Sequence, residues 1–248
     1  MADITGVTMI SDTDLYSSNA VASSVYSVGD LVHGTKGRKY RYVLVGASAL
    51  VAGNVLQESV NDTTYANMAV GTAGAVGDRY IQVTNGTATI TSAQFVGGTI
   101  GVYTAGTIPV GEEYVITKVT GTLTTGGALK VWLDRPLRYA VTTSAKVNMK
   151  RSPWSGVIQF PATTQTGMPV GVAIWPIAAA EYGFVQTHGE CTVLSDGSTF
   201  AVGSNVGTVS GTAGACTVYD AATTLACIGV ARQVAASGKG ITVHLQID

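Results

Sequence analysis

Ile241-Thr242-Val243-His244-Leu245-Gln246-Ile247 alternates apolar and polar side chains without a break. A strand points successive side chains to opposite faces. Ile241, Val243, Leu245 and Ile247 therefore share one face, and Thr242, His244 and Gln246 the other. One face buried and one wet is the arrangement of an antiparallel sheet. The same period of two runs through Tyr80-Ile81-Gln82-Val83-Thr84, Glu113-Tyr114-Val115-Ile116-Thr117-Lys118-Val119 and Leu129-Lys130-Val131-Trp132-Leu133.

Turn signals separate these runs: Asn85-Gly86, Gly97-Gly98, Gly126-Gly127, Asp196-Gly197 and Ser237-Gly238. With 31 Gly and 6 Pro, the chain makes many tight reversals. Val-Gly followed by Asp, Glu or Ser recurs at Val28-Gly29-Asp30, Val76-Gly77-Asp78, Val110-Gly111-Glu112 and Val202-Gly203-Ser204, and reads as a repeated turn leading into a strand. Helix signals are weak. Leu44 to Leu56 and Pro176 to Tyr182 hold at most a short helical turn, the first interrupted by Gly46 and Gly53. The fold class is all-β, built from antiparallel sandwich or barrel-like modules.

The first 28 residues show no period and read as an extended N-terminal arm. Asn148 to Trp154 is polar and basic and contains Pro153, which suggests a boundary near residues 140–155. The expected division is an arm over 1–28, a β domain over 29–150 and a C-terminal β domain over 151–248.

Among the 248 residues, 46% are hydrophobic and 12% charged, about half the charge of an ordinary soluble domain. Disordered chains are poor in apolar residues, so disorder does not explain this. No apolar run reaches the length of a membrane-spanning helix. Thr, Ser, Gly and Ala, or neighbouring subunits, must cover much of the surface. The net charge is −1, which argues against nucleic-acid binding through a broad basic field. Bases cluster only at Lys36, Arg38, Lys39 and Arg41, and at Lys146, Lys150 and Arg151. Each cluster is a solvated face or a docking patch for an acidic partner surface.

Cys191, Cys216 and Cys227 form no Cys-x-x-Cys pair and have no histidine at zinc-like spacing. They read as buried free thiols, fitting a protein assembled in a reducing cytoplasm. Met1-Ala2-Asp3-Ile4-Thr5 shows no secretion signal.

Catalytic motifs are sparse. Gly-x-Ser-x-Gly does not occur, and the Gly-rich Gly71 to Asp78 lacks the Lys-Ser/Thr ending of a phosphate loop. His188 and Glu190 could meet an Asp to form an acid/base site, but a surface turn is the plainer reading. His244, on the polar face of its strand, is solvated or at an interface; His33 lies far from both in sequence. Asp12 and Asp14 are too few for a calcium site and read as an N-terminal turn. Trp132, Trp154 and Trp175 could stack on carbohydrate, though strand aromatics more often anchor a core or interface. Trp154 is the one expected to be exposed or at a contact. No catalytic residue, cofactor or metal is assigned, and the chain is read as a non-enzyme.

One resemblance covers roughly residues 155–248. Gly171-Val172-Ala173, Glu181-Tyr182-Gly183-Phe184-Val185-Gln186-Thr187-His188-Gly189, Asp196-Gly197, Val202-Gly203-Ser204, Thr212-Ala213-Gly214 and Ile228-Gly229-Val230-Ala231 together resemble the small β modules of tailed-bacteriophage capsid decoration proteins, also called cement or head-stabilisation proteins. Gly203-Ser204 stands where those modules usually carry Gly-Asp. The resemblance implies a homotrimer on the outer capsid surface, made in the host cytoplasm, that clamps neighbouring major capsid protein subunits. It implies no catalytic residue and no nucleic-acid or membrane partner. The alternative is a phage tail, baseplate or fibre component contacting a host receptor or glycan.

Overall fold

The computed structural model describes residues 8–60, 63–86, 89–91, 93–104, 112–220, 226–234 and 240–248. The fold is all-β. One short helix, α1 (Asp12–Leu15), and two single 3-10 turns, Thr35–Gly37 and Thr63–Tyr65, are its helical elements among the described residues. The chain divides into two compact units, one of residues 1–60 and 153–248, the other of residues 61–152.

The 61–152 unit is a closed barrel. Its strands are β4 (Met68–Thr72), β5 (Tyr80–Thr84), β6 (Thr99–Thr104), β7 (Glu113–Gly121), β8 (Ala128–Leu133) and β9 (Lys146–Lys150). They neighbour one another in the order β4-β5-β8-β7-β6-β9, every pair antiparallel. Closure leaves no free edge. Alternate residues fill the inside, among them Val70, Ile81, Val83, Ile100, Ile116, Leu129, Val131 and Val147. A register shift between Ile116 and Lys118 changes the phase of β7, so that Val119 turns inward and Lys118 stays exposed.

The other unit carries ten strands: β1 (Leu31–His33), β2 (Lys39–Val45), β3 (Val55–Gln57), β10 (Ser155–Gln159), β11 (Pro169–Ala173), β12 (Tyr182–Leu194), β13 (Asn205–Thr208), β14 (Cys216–Val218), β15 (Cys227–Ala231) and β16 (Gly240–Gln246). Five of them pair in a cycle, β2-β10-β3-β11-β12 and back to β2, with β2–β10 the one parallel pair. At 13 residues, β12 outruns this cycle. Its second half pairs with β16, and β15, β13 and β14 follow in order.

Two aliphatic cores result. Val43, Val45, Leu56, Val157 and Val185 pack in the first half. Val193, Phe200, Val206, Ile228, Ile241, Val243 and Leu245 pack in the second. Each such side chain contributes roughly 1.5–3 kcal/mol by leaving water. An aromatic cluster of Tyr26, Tyr40, Tyr42, Tyr182 and Phe184, with Leu15 and Val32, joins the N-terminal residues to this unit.

The periodic stretches form strands with the expected faces. In β16, Ile241, Val243 and Leu245 are buried, while Thr242 and His244 are half-buried. Gly29, Gly77 and Gly203 of the Val-Gly turns have φ of +99°, +94° and +86°, the left-handed region that glycine enters without strain. Gly111 of the fourth turn, the Ser237-Gly238 turn and residues 1–7 of the arm lie outside the described residues.

The unit division differs from the expected one. Residues 29–60 do not belong with 61–150, because β2 aligns along β12 from Leu44 opposite Tyr182 to Lys39 opposite His188, and so sits with the C-terminal strands. Nor is the stretch 8–28 a free extended arm. Ser11 caps α1 by accepting from the Asp14 N–H, Leu15 is buried, and Asn19 and Tyr182 exchange two backbone hydrogen bonds of 3.0 and 2.9 Å. No helical turn forms between Leu44 and Leu56. That stretch completes β2, turns, and starts β3.

Candidate functional site

On the side of the β12–β16 pair turned away from the core, His188 lies opposite Gln246, Glu190 opposite His244, and Thr192 opposite Thr242. Across β16, Val230 of β15 also lies opposite His244. Cys191, Val193, Val243 and Leu245, one residue out of phase, point into the core. The Thr35–Gly37 turn places Lys36 at one rim with Arg38 beside it, and Arg232, just past β15, closes the other end. The result is a groove of about 690 Å³ lined by Lys36, Arg38, His188, Glu190, Val230, Arg232, His244 and Gln246, with Gly37 and Gly189.

The local chain geometry follows from where strands end. β2 begins at Lys39, so beyond His188 that side of β12 loses its β2 partner. The register shifts between Gln186 and His188. Gln186, buried, spends its side-chain amide on the carbonyls this exposes, donating to those of His188 (3.0 Å) and Glu190 (2.9 Å). Gly189 takes φ +87°, and Arg38 packs directly on it. This contact anchors Arg38 at the groove.

The groove is cationic. Glu190 is the one carboxylate lining it, and it pairs with Arg232 at 3.2 Å. Lys36 and Arg38 have no carboxylate partner among the described residues. The rings of His188 and His244 meet edge to face with centroids 5.3 Å apart, and the buried Nδ1 of His188 has no hydrogen-bond partner among the described residues. Close by, Asp248 accepts from Arg41 Nε (2.6 Å) and Nη2 (3.0 Å). Arg41 also donates to the Gly29 carbonyl and lies over the Trp154 ring, 5.1 Å from its centroid. The Arg41 hydrogen bond, joined by the positive charges of Arg41, Lys39 and His188, holds the Asp248 carboxyl below its ordinary value against a smaller opposing effect of burial. Asp248 is thus committed to Arg41. Exposed Lys36 and Arg232, with half-buried Arg38, His188 and His244 beside them in one concavity, suit carboxylate or phosphate oxygens.

The fold brings together several residues that the sequence singles out separately: Lys36, Arg38, His188, Glu190 and His244. It brings Asp248 close enough to His188 to feel its charge, but that carboxylate is bonded to Arg41, and the partner of Glu190 is Arg232. Arg232 and Gln246 were not flagged. No local pattern marks them, since Arg232 stands 42 residues from Glu190 and reaches it only through the pairing of β12, β16 and β15.

The remaining candidates are placed as follows. Asp12 and Asp14 sit in α1, with Asp14 bonded to Ser11, and the described residues contain no group of three His, Cys, Asp or Glu arranged to hold a metal. His33 ends β1. The Gly71–Asp78 stretch ends β4 and continues as a structural loop, with Asp78 accepting from the Ala75 N–H and Gly74 bridged to Val141. Lys146 and Lys150 stand on β9, and Arg151 lies over Tyr65 and Phe95. Cys191 and Cys216 are buried and Cys227 is exposed, which corrects the expectation of three buried thiols. Burial pushes both Cys191 and Cys216 up to about 12. Trp154 is not a free surface aromatic: it is half-buried against the first aliphatic core. Trp132 donates to Thr120, whereas Trp175 is 45% exposed and meets Tyr16, itself 46% exposed, edge to face.

No helix among the described residues is long and apolar enough to cross a membrane. No protein-family model, curated protein or solved structure matches the chain.

Proposed function

We propose that this protein is a structural virion component: a capsid decoration protein that binds the outer surface of a phage head as a homotrimer and stabilises contacts between major capsid protein subunits. The observation that carries this reading is the surface. With only 12% charged residues, the chain presents many large apolar side chains to solvent, including Met9, Val21, Val25, Met168, Val202 and Val234, each more than half exposed. Where such side chains join into one patch, they mark contact with other polypeptides. Symmetric association covers such surface, and a trimer making several weak contacts holds a lattice by avidity. The resemblance of residues 155–248 to decoration modules supports the same reading.

Light scattering on the purified protein should give the mass of a trimer, and incubation with bare heads should carry it into the pellet with them. A strict monomer at high concentration, or a protein left in the supernatant, contradicts the reading. A second reading, a tail or fibre component contacting a host glycan, is favoured by the exposed Tyr16–Trp175 pair, whose centroids lie 6.1 Å apart. Aromatic pairs of this kind present both an apolar body and a polar tip to a ligand. Binding to host cells in place of heads, lost in Trp175→Ala, would select it.

A further inference from the structure

We infer that the groove between Lys36 and Arg232 holds an extended acidic segment of the partner subunit. This rests on the reading of the protein as a virion component that binds other subunits, and it names the contact. Lys36, Arg38, His188, Arg232, His244 and Gln246 line one concavity of about 690 Å³, with Arg38 also bonded to the Tyr40 side chain. A single internal carboxylate, Glu190, answers them, and it is already engaged by Arg232. Asp248, whose carboxyl feels the charge of His188, is held by Arg41. Positive charge without internal compensation is complemented by carboxylates from outside, and guanidinium groups bind these through paired hydrogen bonds.

The lining separates a peptide from a polyphosphate. Glu190 lines the groove opposite His244, where it repels a continuous run of phosphates. A peptide can set its acids at the two rims and pass Glu190 with a neutral residue. Val230 on the floor and the glycines Gly37 and Gly189 at the wall give contact for apolar side chains and backbone. The amide of Gln246 both donates and accepts, as a passing main chain requires. Nucleic acid is bound instead by several cations tracking a backbone, which the net charge of −1 and the shortness of this cluster do not provide. His188, which lines the groove, carries a buried Nδ1 with no hydrogen-bond partner among the described residues, whereas buried polar atoms ordinarily have one.

The test uses the full-length protein and a fluorescent peptide in which Glu and Asp alternate with Val and Thr, beside its Gln/Asn twin. The acidic peptide binds, the twin does not, and affinity falls as salt rises. The double variant Lys36→Ala with Arg232→Ala, folded by circular dichroism, weakens binding by about tenfold or more. Equal binding of the twin, an unchanged double variant, or tighter binding of a single-stranded oligonucleotide or of inorganic phosphate overturns the inference. So does displacement of the peptide by a second copy of this chain as the sole partner found. Sedimentation with bare heads separates the two levels of the account. If wild type and double variant both pellet with heads, the groove assignment falls and the decoration reading stands. If wild type stays in the supernatant while the peptide result holds, the decoration reading falls and the groove stands.

Discussion

Gly189 lies directly beneath Arg38: a Cβ added to the glycine would meet the Arg38 Cγ at 3.2 Å and its Cα at 3.3 Å, with φ at +87°. The glycine therefore does two things at once. It lets β12 take a left-handed step between His188 and Glu190, and it lets the basic turn approach closely enough to form one wall of the groove.

Gly189→Ala should accordingly destabilise the protein by about 1–3 kcal/mol, from left-handed backbone strain plus displacement of Arg38. Urea denaturation with an unchanged slope would register this as a lower midpoint. The same variant should weaken the acidic peptide, because Arg38 must move. A variant as stable as wild type would mean that the contact is not needed.

Arg41 and Asp248 make a paired hydrogen-bonded bridge at the edge of the same face, both side chains about a quarter exposed. Arg41→Met should cost about 1 kcal/mol at neutral pH. The sign with pH follows from the depressed Asp248 carboxyl. A carboxylate held below its unfolded value adds stability that is fully present above the ordinary value of 3.8 and is lost as pH falls through the folded one. The gap between wild type and Arg41→Met should therefore be constant near neutrality and close in strong acid. Melting temperatures across that range would show it; a gap that widens in acid would contradict the assignment.

Thiol reactivity should split the three cysteines. In the native protein at mildly alkaline pH, an aromatic disulfide reagent should modify Cys227 alone, since Cys191 and Cys216 are buried with thiols pushed up to about 12. All three should react after unfolding. Rapid reaction of two thiols in the folded state would place a second cysteine at the surface.

Ile116 points into the closed barrel and is fully buried. Ile116→Ala should cost about 2–5 kcal/mol through lost transfer energy and the cavity left behind. Val115→Ala, at a 42% exposed neighbour on the outer face, should cost well under 1 kcal/mol. Equal costs at the two positions would mean that the inside–outside assignment of β7 is wrong.

What the sequence made legible were local periods. The alternation at 241–247 set which side chains of β16 are buried, and with it which face carries His244. The Val-Gly turns were visible because left-handed backbone selects glycine. Legibility ended where partners are distant. Nothing near residues 39–45 signals that they align with 182–188, so an expected boundary between residues 150 and 151 divides two strands that are paired. The bulge that turns Val119 inward left an alternating text whose phase changes only in the folded ladder. The groove shows the same limit: Lys36 and Arg38, His188 and Glu190, and His244 were each conspicuous, but only the length of β12 brings them into one place. Arg232 carried no signal at all. Trp154, flanked by Pro153 and Ser155, is expected to be exposed or at a contact; it is half-buried, with Arg41 over its ring and the first aliphatic core against it.

The most direct test of the central claim is an electron-microscopic reconstruction of the virion beside one of particles lacking this protein. The account predicts difference density on the outside of the head, at local three-fold positions, with the Lys36–Arg232 groove against a major capsid protein. Difference density confined to the tail or its fibres, or none on the particle, would contradict it.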